Sequence, residues 1–185
     1  MDDIKRINRE LKYSGHILDF YEDTMSFPNG NTMPWDHVAH RMGAACVLPV
    51  LPNGKIMLVR QYRNSIERYT YEIPAGCRDS LTESTMDCAA RELEEETGYR
   101  AGHIEKLITV ATTVAFCNEV LDVYVATDLV PTARHLDENE YVDVYEFELD
   151  ELIDKIYAGE IQDSKTLGAI LAYKNKYESG NNRLS

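Results

Sequence analysis

The sequence predicts an α/β fold in which a mixed β-sheet is packed between helices. The first observation is a set of short apolar segments rich in branched residues, which is typical of strands. The second is a set of three amphipathic segments whose apolar residues recur at helical spacing. Strands and helices mix along the chain without a regular alternation, so repeating βαβ units are not expected. The 185 residues are enough for one domain with a sizeable core.

The first 42 residues are predicted to form a small antiparallel sheet. Residues 1–12 are expected to be a charged, partly frayed lead. Loose alternation of polar and apolar residues predicts strands at 15–21 and 35–40, and the Pro-Asn-Gly within 27–31 predicts a turn between them. Strands this short have little to pack against within their own segment. The small sheet is therefore expected to lean on the main body or on a second subunit.

Residues 43–178 are predicted to form the main domain, followed by a loose tail at 179–185. An apolar strand at 44–50 ends at Pro52-Asn53-Gly54, and this turn signal predicts that the strand at 55–62 is its hairpin partner. Further strands are expected at 69–74, 104–110, 120–126 and 141–147, with a polar acidic loop at 131–140. Helices are expected at 84–97, 148–161 and 163–176.

The helix predicted at 84–97 has an apolar stripe and an acidic cluster. The residues at three- and four-residue spacing that predict the buried stripe are Met86, Ala89, Ala90, Leu93 and Thr97. Glu92, Glu95 and Glu96 stand at i, i+3 and i+4, so their carboxylates are expected to crowd together on a side away from that stripe. Gly98 then predicts the end of the helix.

Like charges at this spacing destabilise a helix unless something offsets them. Arg91, one turn before Glu95, is one candidate, and a divalent cation held by the carboxylates is another. The alternative is a solvated acidic face, which most glutamate-rich helices have. Cys88, one turn before Glu92, is expected to be a small packing residue, with a position near the metal-binding side as the alternative.

The charge of the chain restricts its partners. With 32 acidic residues against 19 basic ones, the net charge is −13, which argues against nucleic acid or an anionic membrane as partner. An anionic substrate would have to be held by a few local bases and metal ions. The acidic start predicts no secretory signal. The scattered cysteines lack zinc-binding spacing, so reduced thiols in a cytoplasmic protein are expected at Cys46, Cys77, Cys88 and Cys117.

The segment from 76 to 99 resembles the Nudix box. Glu83, the seven residues after it, and the run Arg91-Glu92-Leu93-Glu94-Glu95-Glu96-Thr97-Gly98-Tyr99 fit that pattern without exception. The glycine departs from it, because six residues separate Gly76 from Glu83 where the pattern has five. The resemblance implies a Nudix-type α/β/α sandwich with a mixed sheet. The extra loop residue is expected to affect the positions of Ala75 and Glu83 more than those of the acidic cluster, because the helix sets the geometry of that cluster.

Three further segments resemble the ADP-ribose pyrophosphatase branch of that superfamily: Arg60-Gln61-Tyr62-Arg63, Glu72-Ile73-Pro74-Ala75-Gly76 and Asp137-Glu138-Asn139-Glu140. This resemblance implies a metal-dependent pyrophosphohydrolase that cleaves ADP-ribose, or a related nucleotide sugar, to AMP or another nucleoside monophosphate and a sugar phosphate. It also implies a homodimer. The alternatives are the same chemistry on another nucleoside diphosphate derivative or a dinucleotide, and a non-catalytic module that senses ADP-ribose.

The resemblance implies metal ligands as well. These are the side chains of Glu92, Glu95 and Glu96 and the backbone carbonyl of Ala75, which would hold Mg²⁺, or Mn²⁺ as the alternative, with more than one ion per site. Hard oxygen atoms are the ligands that Mg²⁺ prefers. Glu95 belongs to the catalytic set too. Structural support is expected from Glu83 and Arg91, which would pair and fix the loop against the helix.

The remaining site residues are implied outside the box. The general base would come from the acidic loop, where Glu138 and Glu140 are both candidates and a plain solvated loop is the alternative. Arg63 would meet a substrate phosphate, unless it is a surface arginine at a strand end. Trp35 would stack on adenine or anchor the small sheet. Glu119 would bind substrate, although Val114-Ala115 replaces the Pro-Gly that the family pattern has upstream.

Overall fold

The computed structural model describes residues 4–136, 138 and 141–178. The chain divides into two compact units. The first contains the residues up to 43 together with 111–120, and the second contains 44–110 and the chain from 121 onward. The sequence places a boundary after residue 42, and the structure adds the later segment 111–120 to the first unit.

The first unit is built on a three-stranded sheet of β1 (Lys5–Ser14), β2 (Leu18–Ser26) and β3 (Thr32–His40), in that order and antiparallel throughout. The prediction that residues 1–12 are a frayed lead is wrong for 5–12, which belong to β1, while residues 1–3 lie outside the described residues. Ion pairs between neighbouring strands order the charged residues: Arg9 donates twice to its direct partner Asp23, at 2.6 Å each. Opposite charges across a strand pair stabilise a sheet.

The turn expected between the two N-terminal strands is confirmed. Gly30 has φ +82° and donates its N–H to the Phe27 carbonyl at 2.9 Å, and glycine adopts such a φ without steric penalty. The other edge of this sheet carries the later segment. Val38 of β3 donates its N–H to the Phe116 carbonyl at 2.7 Å and accepts from the Asn118 N–H at 3.2 Å, so backbone hydrogen bonds attach 111–120 to the first unit.

The remaining strands are β4 (Ala44–Pro49), β5 (Ile56–Arg63), β6 (Arg68–Glu72), β7 (Ala75–Cys77), β8 (Tyr99–Arg100), β9 (His103–Ala111), β10 (Val120–Thr127), β11 (Val130–Pro131) and β12 (Val142–Phe147). They form a sheet of order β7-β4-β10-β9, a sheet of order β12-β5-β6 and the short pair β11-β8. β4 pairs in parallel with β10 and antiparallel with β7. The prediction of a mixed sheet is therefore confirmed.

Helices cover both faces of β4. They are α1 (Thr85–Thr97), α2 (Leu149–Tyr157) and α3 (Ser164–Tyr173), the last continuing into a π-helical turn at Lys174–Glu178. All six residues of β4 are buried, and successive side chains of a strand point to opposite faces. Ala45 and Val47 pack in one apolar cluster with Leu93 of α1. Cys46 and Leu48 belong to the other cluster, which contains the buried apolar residues of α2 and α3.

One predicted pairing is wrong. The strands at 44–50 and 55–62 do not form a hairpin, because only the single bridge between Val50 and Ile56 joins them. β4 instead lies between β7 and β10, while β5 lies between β12 and β6. A strand that is buried on both faces needs neighbours and helices on both sides, and a two-stranded hairpin would not cover it. No helix in the described ranges is long and apolar enough to cross a membrane.

Candidate active site

The helix that carries the acidic cluster has well-formed ends. The Ser84 hydroxyl accepts the Asp87 N–H at 3.0 Å, which caps the start of α1. Gly98 ends the helix with φ +74° and donates its N–H to the Glu94 carbonyl at 2.9 Å. The predicted helix is confirmed, and its ends agree with those expected from the sequence.

The buried face of α1 is rotated relative to the predicted stripe. Ala89, Leu93 and Thr97 are buried as expected, but Met86 is 44% exposed. Cys88 is fully buried instead and packs in the same cluster as Ala89 and Leu93. Burial raises the pKa of its thiol to about 12. Cys88 therefore packs as a small apolar residue, and its Sγ also lies 3.5 Å from the Gly76 carbonyl.

The acidic cluster does not lie away from the buried side, and that prediction is wrong for two of its members. Glu92 is 9% exposed and Glu96 is 1% exposed. Both face β7: a Cβ atom added at Gly76 would lie 2.1 Å from Glu92 Oε1, and the Ala75 N–H donates to Glu96 Oε2 at 3.3 Å. Glu95 is more exposed. The α1 carboxylates are thus packed against the strand that precedes the loop.

Arg91 connects the loop to the helix. It donates to Glu83 at 3.1 Å, to Glu92 at 2.7 Å, to Glu95 at 2.8 Å and to the Cys77 carbonyl at 2.9 Å. Burial opposes the charge of Arg91, but its hydrogen bonds to Glu83 and the charge of Glu92 outweigh burial and raise its pKa. The hydrogen bond from Arg91 lowers the pKa of Glu83 in turn. The Arg91 guanidinium therefore offsets the repulsion between the Glu92 and Glu95 carboxylates.

The loop between β7 and α1 accommodates its extra residue by closing on Glu83. The Asp79 N–H donates to Glu83 Oε2 at 2.7 Å, and Arg78 donates to the Glu83 carbonyl at 3.1 Å. The Glu83 N–H donates to the Ser80 hydroxyl at 3.1 Å. Glu83 still reaches Arg91, so the longer loop does not break the pair that the box pattern implies.

The donor set on α1 is chemically suited to a hard divalent cation. Glu92, Glu95 and Glu96 supply carboxylate oxygens, and the main chain of Ala75 adjoins Glu96. Within the described residues, no three His, Cys, Asp or Glu side chains converge closely enough to hold a metal ion. Arg91 lies against both Glu92 and Glu95. The metal-ligand assignment stays a prediction.

Arg63 ends β5 and is held by a buried carboxylate. Its Nε and one terminal nitrogen donate to the two Glu72 oxygens at 2.7 and 2.5 Å. The hydrogen bond to Glu72 is the largest of the effects that raise the pKa of Arg63, and the charge of Glu96 is a smaller one. Arg63 is therefore within electrostatic reach of the acidic cluster. Its side chain is 40% exposed, so it can still contact a ligand.

Sequence reasoning missed two residues behind Arg63. Glu72 is 2% exposed and also accepts hydrogen bonds from Thr70 and from Lys165 of α3. Burial opposes its charge, but Arg63 and Lys165 outweigh burial and lower its pKa to about 2. One signal was available: Lys165 stands in the first turn of a helix, where a positive charge is unfavourable unless an acidic partner is near.

The segment that leads to the acidic loop runs along the end of α1. The Thr132 N–H donates to the Gly98 carbonyl at 2.7 Å, and the His135 N–H donates to the Glu95 carbonyl at 3.2 Å. Glu138 is exposed in a turn three residues later, so its Cα lies within about 11 Å of the His135 Cα. Glu140 lies outside the described residues. The start of the loop is therefore attached to the part of α1 that carries Glu95.

Trp35 and Glu119 belong to the first unit, whereas the carboxylates of α1 belong to the second. Trp35 is 44% exposed and contacts Phe27 edge-on, with ring centroids 5.9 Å apart. Glu119 accepts from the Thr112 hydroxyl at 2.8 Å and lies 3.8 Å from His40 Nε2. Their assignment to substrate binding stays a prediction.

Comparison with known proteins identifies the family of the chain. The NUDIX domain family matches residues 39–167. Over 168 residues the chain is 38% identical to an ADP-ribose pyrophosphatase of Bacillus subtilis (strain 168), with 90% of each chain covered. It is 40% identical over 168 residues to a methanol dehydrogenase activator of Bacillus methanolicus, again with 90% of each covered.

A solved structure has the same fold. The crystal structure of an ADP compounds hydrolase superposes with a TM-score of 0.87 at 20% sequence identity, and the match covers 97% of this chain and 96% of the other. The predicted fold class, a sandwich of helices around a mixed sheet, is thereby confirmed.

Proposed function

Because this chain belongs to the Nudix family, we propose that it is a hydrolase that cleaves the pyrophosphate bond of ADP-ribose or a related nucleotide sugar. Water attacks one phosphorus, the bond between that phosphorus and the bridging oxygen breaks, and the products are AMP and a sugar phosphate. The observation that carries this proposal is the contact of Glu92 with Gly76 and Arg91, which holds the box carboxylates at a fixed place beside β7. The relative named ADP-ribose pyrophosphatase supports the choice of substrate.

Glu92, Glu95, Glu96 and the Ala75 carbonyl would hold the divalent cations, which we propose to be Mg²⁺, with Mn²⁺ as the alternative and more than one ion per site. Such ions neutralise phosphate charge and lower the pKa of a bound water. The residues of the chain supply the rest. Arg91 neutralises the carboxylates and fixes their direction, and Glu83 holds Arg91 from the loop side.

Arg63 is proposed to bind a phosphate of the substrate, because a guanidinium matches phosphate geometry with two parallel donors. Glu138 or Glu140 is proposed as the base that takes the proton of the attacking water. The attachment of the preceding segment to Glu95 and Gly98 supports a loop that starts beside the acidic helix. Trp35 and Glu119 are proposed to contact the nucleotide part of the substrate.

We further propose that the protein is a cytoplasmic homodimer. The N-terminal segment supports the dimer, because it exposes several large apolar side chains: Ile4, Ile7, Leu11, Tyr13, Met33 and Trp35. Exposed apolar surface of this kind is typical of interaction sites. Light scattering at micromolar concentration should give about twice the 21.1 kDa chain mass, and a monomeric mass would refute the dimer.

The test is a panel of ADP-ribose, other nucleotide sugars, dinucleotides and oxidised nucleotides, each with Mg²⁺ or with chelator, and with products identified by mass. Glu96→Gln is the inactivating variant. Glu94→Gln is the matched control, because Glu94 pairs with Arg100 on the other side of α1. We expect AMP and ribose phosphate from ADP-ribose with Mg²⁺, no product from Glu96→Gln, and full activity in the control.

The other outcomes separate the alternatives. Cleavage of a different member of the panel would keep the chemistry and change the substrate. Binding of ADP-ribose without cleavage would favour a sensing module, although all the box carboxylates are present in this chain. Equal cleavage with chelator would contradict the metal dependence.

A further inference from the structure

A buried ion-pair network joins the end of β5 to the first turn of α3. Glu72 is its centre and accepts two hydrogen bonds from Arg63, one from Thr70 at 2.6 Å and one from Lys165. Lys165 also donates to Asp163 at 2.9 Å. None of the proposed chemical steps uses Lys165.

The two cations of this network differ in their access to solvent. The Arg63 side chain is 40% exposed, whereas the Lys165 side chain is 10% exposed and Glu72 is 2% exposed. Arg63 can therefore meet a ligand, and Lys165 is too enclosed to do so. Any effect of Lys165 on a substrate must pass through Glu72.

Both cations donate to the same carboxylate oxygen. A terminal nitrogen of Arg63 and the Lys165 ammonium both meet Glu72 Oε2. If Glu72 served Arg63 alone, its charge would cancel most of the charge that Arg63 presents to solvent. Asp163 also pairs with Lys165, but it does not cancel the effect of Lys165 on Glu72. Asp163 caps α3, and its Oδ2 accepts the Thr166 N–H at 3.0 Å. The helix N-terminus therefore offsets the negative charge of Asp163.

We propose that Lys165 is a positioning residue, which acts through Glu72 to keep Arg63 fixed in direction and still able to attract a phosphate of the substrate. Glu72 supplies the fixed direction through its two hydrogen bonds to Arg63. Lys165 takes part of the charge of Glu72, so that a positive potential remains at the exposed guanidinium. The inference rests on the proposed function, since it takes the ligand of Arg63 to be a substrate phosphate.

A double-mutant cycle tests the coupling of Lys165 to Arg63. KM and kcat for ADP-ribose are measured for the wild type, Lys165→Met, Arg63→Met and the double variant. We expect Lys165→Met to raise KM about tenfold with kcat within about threefold, because a group that binds ground and transition states equally acts on KM alone. In the Arg63→Met background, Lys165→Met should raise KM no further, because the two residues act as one unit.

Lys174→Met is the matched control. Lys174 follows α3 and pairs with Asp150 at 2.6 Å, so its loss should leave KM at the wild-type value. An equal rise in KM from Lys165→Met in both Arg63 backgrounds, or an unchanged KM with only a lower melting temperature, would overturn the proposal. If Lys165→Met does not fold by circular dichroism, Lys165→Gln enters the cycle. It keeps a donor toward Glu72 without the charge, and the same non-additivity is expected.

The binding of ADP separates this proposal from the choice of substrate. If the wild type cleaves no ADP-ribose, the proposed function fails, and the cycle is then measured as the dissociation constant of ADP by calorimetry with Mg²⁺ present. Non-additive weakening of ADP binding would support the role of Lys165 in diphosphate recognition. Additive weakening, or no ADP binding by the wild type, would overturn it.

Discussion

The carboxylate of Glu92 occupies the space that a side chain at Gly76 would need. A Cβ atom there would lie 2.1 Å from Glu92 Oε1 and 2.2 Å from Cδ, far inside van der Waals contact. A side chain at this position would thus force a carboxylate sixteen positions later in the chain to move. Its own backbone conformation does not demand glycine, since Gly76 is not among the glycines with positive φ.

Gly76→Ala should therefore displace Glu92 and reduce kcat/KM for ADP-ribose about a hundredfold, because a shift of about 1 Å in a catalytic group has an effect of that size. Gly168→Ala is the control. A Cβ at Gly168 would meet only ordinary contacts at 3.5 and 3.6 Å, and alanine favours a helix over glycine by about 1 kcal/mol. The control should be active and slightly more stable. Wild-type activity in Gly76→Ala would show that the position of Glu92 does not matter.

Arg91→Met should destabilise the fold by about 3 kcal/mol, because it removes the positive charge that pairs with the largely buried carboxylates of Glu83 and Glu92. Urea unfolding measures the change in free energy. Arg100→Met is matched to it, since Arg100 pairs with Glu94 at the surface. That variant should lose no more than about 1 kcal/mol. Equal losses in both variants would mean that Arg91 is only a surface ion pair.

The stability of the wild type should fall steeply in acid because of Glu72. The pKa of this carboxyl is about 2 in the folded protein against an ordinary 4.5. As the pH falls, the unfolded chain takes up the proton first, so the contribution of Glu72 is complete above about pH 5 and is lost toward about pH 2. The loss amounts to about 3 kcal/mol.

Glu72→Gln has no carboxyl group at this position to titrate. Its unfolding free energy should therefore be lower than that of the wild type at neutral pH, and should change less with pH between about pH 5 and pH 2. Denaturant titrations across this range give both curves. Parallel curves for the two proteins would show that Glu72 is not the group responsible.

Leu93→Ala and Met86→Ala should have very different effects, although both residues belong to the apolar stripe predicted for α1. Leu93 is fully buried and Met86 is 44% exposed. We expect a loss of about 3 kcal/mol for Leu93→Ala and of no more than about 0.5 kcal/mol for Met86→Ala. Thermal and urea unfolding would measure both, and similar losses would favour the stripe drawn from spacing alone.

The extent of α1 could be predicted from sequence because its signals are local. Ser84 caps the helix start through the Asp87 N–H, and Gly98 ends the helix through φ +74°, so neither end depends on distant residues. The side to which the carboxylates point could not be predicted, because Glu92 and Glu96 are buried against β7 and spacing alone favours a solvated face for glutamate. Glu92 packs against Gly76, which precedes the helix and is therefore not part of the spacing pattern of α1.

The pairing of strands was also beyond the reach of local pattern. The turn signal at 52–54 is real, but it connects strands that continue into different sheets. The charged composition of 1–12 predicts a frayed lead, whereas charged residues of β1 form ion pairs with β2, such as Arg9 with Asp23. The Arg63–Glu72–Lys165 network was missed for a similar reason, since Lys165 lies 93 positions after Glu72. The position of Lys165 in the first turn of α3 indicates that an acidic partner is near, but a single sequence does not say which acidic residue it is.

The closed loop between β7 and α1 has a consequence for how this family of sites can vary. Its hydrogen bonds converge on Glu83, which accepts from the Asp79 N–H and the Arg78 side chain and donates its own N–H to the Ser80 hydroxyl, so the loop closes into a ring on Glu83. Length can change inside such a ring while the register between strand and helix stays constant. The loop between Gly76 and Glu83 is thus a place where insertions alter the rim of the site and leave its carboxylates where they are.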